Sequence, residues 1–237
     1  MRNLLLMSSS KYANTGYLVH SQDWLKQHFQ TQIDAQQEIL FISYAGVTTP
    51  GAEYTAKVAA ALAGIGLRLR GIESYANARD AVTSAHGILV GGGNTFALLN
   101  ELYRHGLIDL IKRQVQSGVP YAGWSAGANI AGLSIKTTND MPIVQPPSFT
   151  ALKLVNFQLN PHYIDQHPPG FHGETRAQRL AEFMELNPAT AIIGLREGTA
   201  LKVQQRMHLL GAHDGVYFRD GREHLIKAGQ DCSFLLG

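Results

Sequence analysis

Short apolar runs alternate with segments of helical spacing along the first half of the chain. Apolar residues without helical spacing predict buried strands at 4–7, 39–43, 67–72, 87–90 and 119–124. Apolar residues three and four positions apart predict helices near 22–29, 54–65, 77–85, 96–103 and 107–116. This alternation is typical of a parallel sheet covered by helices. We therefore predict an α/β fold with a mostly parallel central sheet and helices on both faces.

The second half of the chain is less regular. Residues 136–149 form a polar loop with prolines, and 154–163 is predicted to be a strand that ends in Asn-Pro-His. A helix is predicted at 174–186 and a strand at 191–195. The tail after Gly198 carries GAHDG and RDG turns, which favour short antiparallel strands or hairpins. Because no repeat or linker interrupts the chain, we expect residues 1–237 to form a single domain.

Composition narrows the class of protein. Of the 237 residues 45% are hydrophobic and 16% are charged, so a sizeable core is expected. The net charge of +2 and the scattered basic residues argue against a nucleic-acid partner. A single cysteine, Cys232, excludes an internal disulfide and is compatible with the cytosol. The apolar segment near the start is too short for a signal sequence or a membrane span, so we expect a cytoplasmic protein.

The stretch 121-YAGWSAGAN-129 places a serine between two glycines at the end of a predicted strand. On a strand-to-helix elbow, flanking glycines let the backbone turn sharply, so that the Ser125 hydroxyl projects above the sheet. The amide of Ala126, at the start of the next helix, could then stabilise an oxyanion. The G-x-S-x-G pattern is common by chance, and the alternative is a plain glycine turn with a structural serine.

A second glycine-rich turn, 91-GGGN-94, also follows a predicted strand. In parallel sheets the carboxyl ends of strands meet at one edge, so both turns are expected at the same site. The Gly93 amide is our candidate for a second oxyanion donor. A phosphate-binding turn and a simple strand-to-helix turn are the alternatives, although neither G-x-G-x-x-G nor G-x-x-x-x-G-K-[ST] is present.

A serine nucleophile needs a base and an acid that orients the base. His162 ends a predicted strand in 160-NPH-162 and is the best-placed base, whereas His20, His28, His86 and His105 lie in helical or loop contexts without a site signature. Asp140 and Glu197 could each orient His162, and their spacing does not choose between them. Because no HExxH or close Cys/His pair occurs, we expect no zinc centre.

The motifs VGGGNTF, GWSAGAN, TTNDMPIV, NPH, GETRAQR and IGLREG occur in this order. The ordered set resembles the peptidase E family, the alpha-aspartyl dipeptidases, from the first strand to about Gly198. These are serine peptidases with a fold related to class I glutamine amidotransferases. The resemblance implies Ser125 as nucleophile, His162 as base, and the amides of Gly93 and Ala126 as oxyanion donors. Asp140 and Glu197 both match acids of the family site.

The resemblance implies hydrolysis of dipeptides with an N-terminal aspartate, Asp-Xaa, without a metal or organic cofactor, and we expect a monomer or homodimer. Such a substrate carries a carboxylate, so its pocket needs a cation or several hydrogen-bond donors, and Arg176 in GETRAQR is a candidate. Arg196 stands where the family pattern leads us to expect proline, which bears on the backbone that presents Glu197.

Three other functions compete with this interpretation. A cyanophycinase-like hydrolase would use a related serine elbow, but the NDMP string and the short chain argue against it. A lipase-like α/β-hydrolase lacks support, because neither an HGGG-type motif nor a lid-like apolar segment occurs. A non-catalytic domain could use the two glycine turns to hold an anion or another ligand.

Overall fold

The computed structural model describes residues 2–34, 36–167, 170 and 172–236. Its strands are β1 (Leu4–Met7), β2 (Ile39–Ile42), β3 (Leu69–Gly71), β4 (Ile88–Val90), β5 (Tyr121–Trp124), β6 (Gln158–Pro161), β7 (Ile192–Leu195), β8 (Thr199–Val203), β9 (Met207–Gly211), β10 (Gly215–Arg219) and β11 (Arg222–Ile226). A seven-stranded sheet has the order β3-β2-β4-β5-β1-β8-β9. Its first five strands are parallel, and β8 and β9 extend it by antiparallel pairing. The predicted mostly parallel sheet with antiparallel C-terminal strands is confirmed.

Helices cover both faces of the seven-stranded sheet. They are α1 (Gln22–Gln30), α2 (Gly51–Ala63), α3 (Ala78–Thr83), α4 (Thr95–Arg104), α5 (Ile108–Gln116) and the short α6 (Ala126–Asn129), whereas α7 (Arg176–Leu186) lies elsewhere, on a second sheet. Because strand side chains alternate, Leu5 and Met7 pack with α1 and α2, whereas Leu4 and Leu6 pack with α3 to α6. The prediction of helices on both faces is therefore confirmed.

A second sheet of four strands, in the order β11-β10-β7-β6, was not predicted. One of its faces, with Leu159 and Ile193, joins the same core cluster as Leu4 and Leu6. Its other face packs Ile192 and Val216 against α7. The strand pattern predicted the existence of β6 and β7, but an apolar run carries no information about which sheet a strand joins.

The predicted strand at 154–163 is too long. Strand β6 begins only at Gln158, and the preceding residues form a loop whose Leu154 and Val155 amides bond to the Ala131 carbonyl. Both side chains are buried in the core. The apolar run therefore reflects a loop that packs on the core, which resembles a buried strand in composition.

Candidate active site

Ser125 occupies a sharp turn between β5 and α6. Its backbone angles, φ 53 and ψ −115, are rare for a residue with a side chain, and such strain persists only where the surroundings enforce it. A Cβ on Gly123 would overlap the carbonyl of Gly127, and one on Gly127 would overlap the carbonyl of Val90. Only glycine therefore permits α6 to start so close to β4 and β5.

His162 follows β6 directly and faces the serine. Its Nε2 lies 3.0 Å from the Ser125 hydroxyl oxygen. The His162 backbone is also left-handed, with φ 55. The neighbouring Tyr163 amide donates to the Leu195 carbonyl at 2.9 Å, which fixes the end of β6 against the end of β7.

Glu197 lies on the opposite side of the imidazole, where its Oε1 is 2.9 Å from His162 Nδ1. An ionised carboxylate only accepts hydrogen bonds, so Nδ1 carries the proton in this arrangement. In the neutral ring Nε2 is then the acceptor, and the Ser125 hydroxyl donates to it. The His162 and Glu197 side chains are 41% and 53% exposed, so solvent screens their attraction and the contact serves mainly to set tautomer and orientation.

Ser8 joins the two sheets behind these residues, and sequence reasoning missed it. It directly follows β1, is fully buried, and accepts a hydrogen bond from the His162 amide at 3.0 Å. Its hydroxyl donates to the carbonyl of Leu195, the last residue of β7, at 2.8 Å. The base is thereby anchored to the end of β1 in the large sheet. No sequence motif around Ser8 signals this role, because its partners lie far away along the chain.

Asp140 lies beside the serine but is engaged elsewhere. Its Oδ2 accepts from the Thr95 amide at 2.7 Å and from the Thr95 hydroxyl at 2.5 Å, at the first residue of α4. The Thr138 hydroxyl approaches the same oxygen at 3.2 Å. A carboxylate at a helix N-terminus satisfies free amides and complements the helix dipole. Asp140 therefore fixes the start of α4, and with it the preceding glycine turn.

The two predicted oxyanion donors lie on the turns that follow β4 and β5. Gly93 has φ +136, and a Cβ there would overlap the Ala45 carbonyl, so this turn requires glycine. It lines the same cavity as Ser125. Ala126 is the first residue of α6, and no carbonyl within that helix can accept its amide hydrogen.

A cavity of about 570 Å³ opens next to Ser125 and His162. Tyr17, Tyr54, Lys57 and Trp124 line it, and none of them was a predicted site residue. The Tyr17 hydroxyl donates a hydrogen bond to the Tyr54 hydroxyl at 3.4 Å. The Tyr54 hydroxyl in turn donates to the Gly92 carbonyl at 2.9 Å. Burial raises the pKa of both tyrosines, which therefore stay neutral and keep this chain of donors. The Lys57 ammonium stands 4.4 Å from the centre of the Tyr17 ring.

A much smaller hollow of about 20 Å³ lies on the other side of Ser125. Asp140, Thr95 and Ala126 line it together with Ser125 and His162. The two hollows share only the serine and the histidine, so the Ser125 hydroxyl stands at a boundary between them.

The predicted substrate cation, Arg176, begins α7 and does not line the larger cavity. Burial and the neighbouring charge of Arg179 lower its pKa, whereas the charge of Asp140 acts in the opposite direction. Within the described residues its Nε is buried and has no hydrogen-bond partner. The charge of Asp140 therefore acts on the guanidinium, although Arg176 lines neither the larger cavity nor the hollow beside Asp140.

Arg196, at the position where proline was expected, forms a clamp on the loop after His162. Its guanidinium pairs with Asp165 through Nε at 2.8 Å and Nη2 at 2.5 Å, and Nη1 donates to the Asp214 carbonyl. The bond from Arg196 holds the pKa of the Asp165 carboxyl below its usual value. Arg196 in place of proline thus links the chain beside Glu197 to the loop that follows His162, through its ion pair with Asp165.

His20, which the sequence did not single out, lies within electrostatic reach of Glu197. Burial lowers its pKa, and the negative charge of Glu197 opposes that effect. Over the described ranges, no three His, Cys, Asp or Glu side chains are grouped as a metal site would require.

Comparisons with known proteins relate this chain to serine-type peptidases, in agreement with the contact between Ser125 and His162. Residues 4–210 match peptidase family S51. The chain is 50% identical over 236 residues to peptidase E of Shewanella sp. (strain W3-18-1), covering 99% of this chain and 98% of that protein. It is 48% identical to peptidase E of Shewanella amazonensis, with 98% of each chain covered.

Two solved structures share the fold. A candidate peptidase E from Listeria monocytogenes EGD-e superposes with a TM-score of 0.68 at 25% identity, covering 90% of this chain and 100% of that one. A peptidase from an acI-B1 Actinobacterium gives a TM-score of 0.71 at 20% identity, covering 98% of this chain and 97% of the other.

Proposed function

Because this serine-type peptidase belongs to peptidase family S51, we propose that it hydrolyses dipeptides with an N-terminal aspartate, Asp-Xaa, through an acyl-enzyme on Ser125. The observation that carries the mechanism is the continuous hydrogen-bonded series from Ser125 through His162 to Glu197. The names of the relatives and the lysine in the cavity wall beside the serine support the substrate class.

In the first step the Ser125 oxygen attacks the peptide carbonyl carbon, and its proton moves to His162 Nε2. The negative charge that develops on the carbonyl oxygen is stabilised by the amides of Gly93 and Ala126. When the C–N bond breaks, the Nε2 proton passes to the leaving amine and an ester remains on Ser125. A water molecule, deprotonated by the same nitrogen, then attacks the ester carbon, the bond to the Ser125 oxygen breaks, and the proton passes from Nε2 to that oxygen as aspartate leaves. Glu197 holds the ring in the tautomer that both steps need, and Asp140 keeps the Gly93 turn in place.

The charge distribution around Ser125 matches a dipeptide with two carboxylates. Asp-Xaa carries one carboxylate on the acyl side of the scissile bond and one on the leaving residue. Lys57 lines the cavity beside the serine, and the charge of Asp140, which lines the smaller hollow at the serine, acts on Arg176. We therefore assign Arg176 to the aspartate side chain and Lys57 to the carboxylate of the leaving residue.

The reaction is tested by offering Asp-Leu, Ala-Leu and an ester to the wild type and to Ser125→Ala. We expect Asp-Leu cleavage, much slower Ala-Leu cleavage, and a loss of at least about 10⁴-fold in Ser125→Ala. Ester turnover without Asp-Leu cleavage would refute the dipeptidase assignment. Binding of Asp-Leu without turnover would instead support a non-catalytic ligand-binding domain. Cleavage of poly-aspartate carrying side-chain-linked residues, in place of Asp-Leu, would favour the cyanophycinase-like alternative.

The two cation assignments are tested with paired substrates. Lys57→Met should lower kcat/KM for Asp-Leu by on the order of tenfold or more, but should have little effect on the amide Asp-Leu-NH₂, whose leaving residue has no charge. Arg176→Met should weaken cleavage of both, because both keep the aspartate side chain. If Lys57→Met affected the acid and the amide equally, Lys57 would not bind that carboxylate.

We further propose that the protein acts in the cytoplasm as a single-domain monomer or homodimer. In the described part of the chain, no helix is both long enough and apolar enough to cross a membrane. Cys232 is buried and unpaired, which agrees with a reducing compartment. Sedimentation of the purified full chain would distinguish the two assembly states.

A further inference from the structure

A second cavity lies at the edge of the large sheet opposite to Ser125. It has a volume of about 570 Å³, equal to that of the cavity beside the serine and within the range of small-molecule sites. It is bounded by the residues that precede β1 and β5, by the end of β8 and by the start of β9. Because Ser125 follows the carboxyl end of β5, the full length of β5 separates the two cavities.

The lining of this cavity is rich in hydrogen-bond donors and positive charge. It comprises Arg2, Asn3, Gln32, Gly118, Lys202, Gln204, Gln205, Arg206 and His208, with no carboxylate among them. Asp231, which does not line the cavity, is 3.5 Å from Arg206 and interacts with the charge of His208. The basic side chains of the lining thus face the cavity with no carboxylate among the residues that line it.

Among the residues that line this cavity, Lys202 gives the strongest indication of an anionic ligand. It is half-buried in β8, and its ammonium lies 2.9 Å from Nδ1 of the buried His28 on α1. Among the described residues it forms no ion pair with a carboxylate. Burial lowers the pKa of Lys202 to about 8, and it also lowers the pKa of His28, which stays neutral and accepts the bond. A desolvated ammonium without a counter-ion is stabilised by an anion that binds beside it.

Asn3 supplies an independent indication. It is 6% exposed, and its Oδ1 accepts from Gln204 at 3.1 Å. Its Nδ2 is buried without a hydrogen-bond partner among the described residues. Buried donors are nearly always satisfied, so a ligand oxygen is the natural partner for an amide in a cavity wall.

We propose that this cavity binds a small multivalent oxyanion, bearing phosphate or carboxylate groups, held by Lys202, Arg206 and Arg2 together with the Asn3 amide. Arg and Lys bind such oxygens through short charge-assisted hydrogen bonds. None of these residues belongs to the serine site, so the proposal is independent of the proposed function.

The test is a titration of the full chain with pyrophosphate and with citrate, at constant ionic strength, followed by calorimetry and by the melting temperature. We expect saturable binding of at least one probe, and the comparison shows whether phosphate or carboxylate oxygens are preferred. Lys202→Gln should weaken binding by on the order of tenfold. Arg206→Gln should also weaken binding of the anion. Because Arg206 is exposed, this variant should fold normally, so it still tests the proposal if Lys202→Gln misfolds.

Lys26→Gln is the matched control, because it removes one exposed lysine from α1, outside the cavity. It should leave the affinity within about twofold, since a distant exposed charge is screened by salt. Affinity should also fall as the pH rises through about 8, because Lys202 then loses its charge. Asp-Leu cleavage should be unchanged in Lys202→Gln. Absence of saturable binding, or equal weakening by Lys202→Gln and Lys26→Gln, would overturn the proposal.

Discussion

The two sheets contribute to the candidate active site in different ways. The seven-stranded sheet presents Ser125 on a turn that is packed against backbone, where neither Gly123 nor Gly127 has room for a side chain. The four-stranded sheet presents His162 and Glu197 on strand ends, where both side chains are partly exposed and held by hydrogen bonds. The nucleophile is therefore fixed by shape, and the base and acid by polar contacts.

This difference determines where the site is sensitive to mutation. A residue that packs against backbone tolerates almost no change in volume, because protein interiors are close-packed. A hydrogen-bonded pair tolerates changes in volume but not the loss of a partner. Substitutions that remove one hydrogen-bonding group at the ends of the four-stranded sheet should therefore lower the reaction rate while leaving the fold and the Ser125 turn in place.

The largest effect is expected from Glu197→Gln. An amide cannot hold His162 in the tautomer that accepts the Ser125 proton, so kcat should fall by on the order of 10⁴-fold. Asp140→Asn is the matched comparison, because it makes the same change in an acid that contacts Thr95 instead of His162. It should cost about 1 kcal/mol of stability through the weakened start of α4, and a far smaller factor in kcat.

Steady-state kinetics and thermal unfolding of both variants separate these effects. If Asp140→Asn lost as much activity as Glu197→Gln without loss of stability, Asp140 would be the orienting acid. If both kept the wild-type rate within a few-fold, the Ser-His-acid mechanism would fail.

An intermediate effect is expected from Ser8→Ala. The change leaves the His162 amide without its partner in a buried place, which should cost about 1–3 kcal/mol in the free energy of unfolding. The imidazole should also shift relative to Ser125, so that kcat falls by on the order of tenfold with little change in KM. Ser9→Ala is the control, because the Ser9 hydroxyl bonds locally to the Lys11 carbonyl. Equal losses in the two variants would show that Ser8 does not couple the sheets.

The smallest effect is expected from Arg196→Lys, which keeps the charge but loses the two-point contact with Asp165. Stability should fall by less than about 1 kcal/mol, since Asp165 is half-exposed. The pKa of Asp165 is lowered in the folded state, so the wild-type advantage is present above the usual carboxyl pKa and is lost as the pH falls through the folded value. Urea unfolding at neutral and acid pH measures it, and a pH-independent difference would contradict this origin.

Much of the fold was predictable because local patterns specify it. The strands from Leu4 to Trp124 and the helices between them follow from apolar spacing. Their alternation along the chain predicts a mostly parallel sheet. The serine elbow was also accessible, because its glycines, strand and helix are adjacent in the sequence. His162 was predicted from its place at a strand end and from the resemblance to peptidase E.

The remaining features depend on contacts between residues that are distant along the chain. Glu197 and Asp140 were both sequence candidates, with Arg196 in place of proline counting against Glu197, and the three-dimensional distances show that Glu197 faces His162. Neither Ser8 nor Lys57 was a predicted site residue, because their roles arise from the second sheet and from the fold of α2 around the cavity. The second sheet itself was missed, since pairing partners are not encoded in an apolar run.

Trp124 gives the molecule a spectroscopic property. It is buried in β5, stacks on Phe41, and forms part of the wall of the cavity beside Ser125. The other tryptophan, Trp24, lies on α1 beside His20. An indole in a cavity wall changes its emission when a ligand replaces water against its ring, so the intrinsic fluorescence of the chain should respond to occupancy of that cavity. Ligand binding beside Ser125 can thus be followed by the intrinsic fluorescence of Trp124, without a label and without changing a proposed catalytic group.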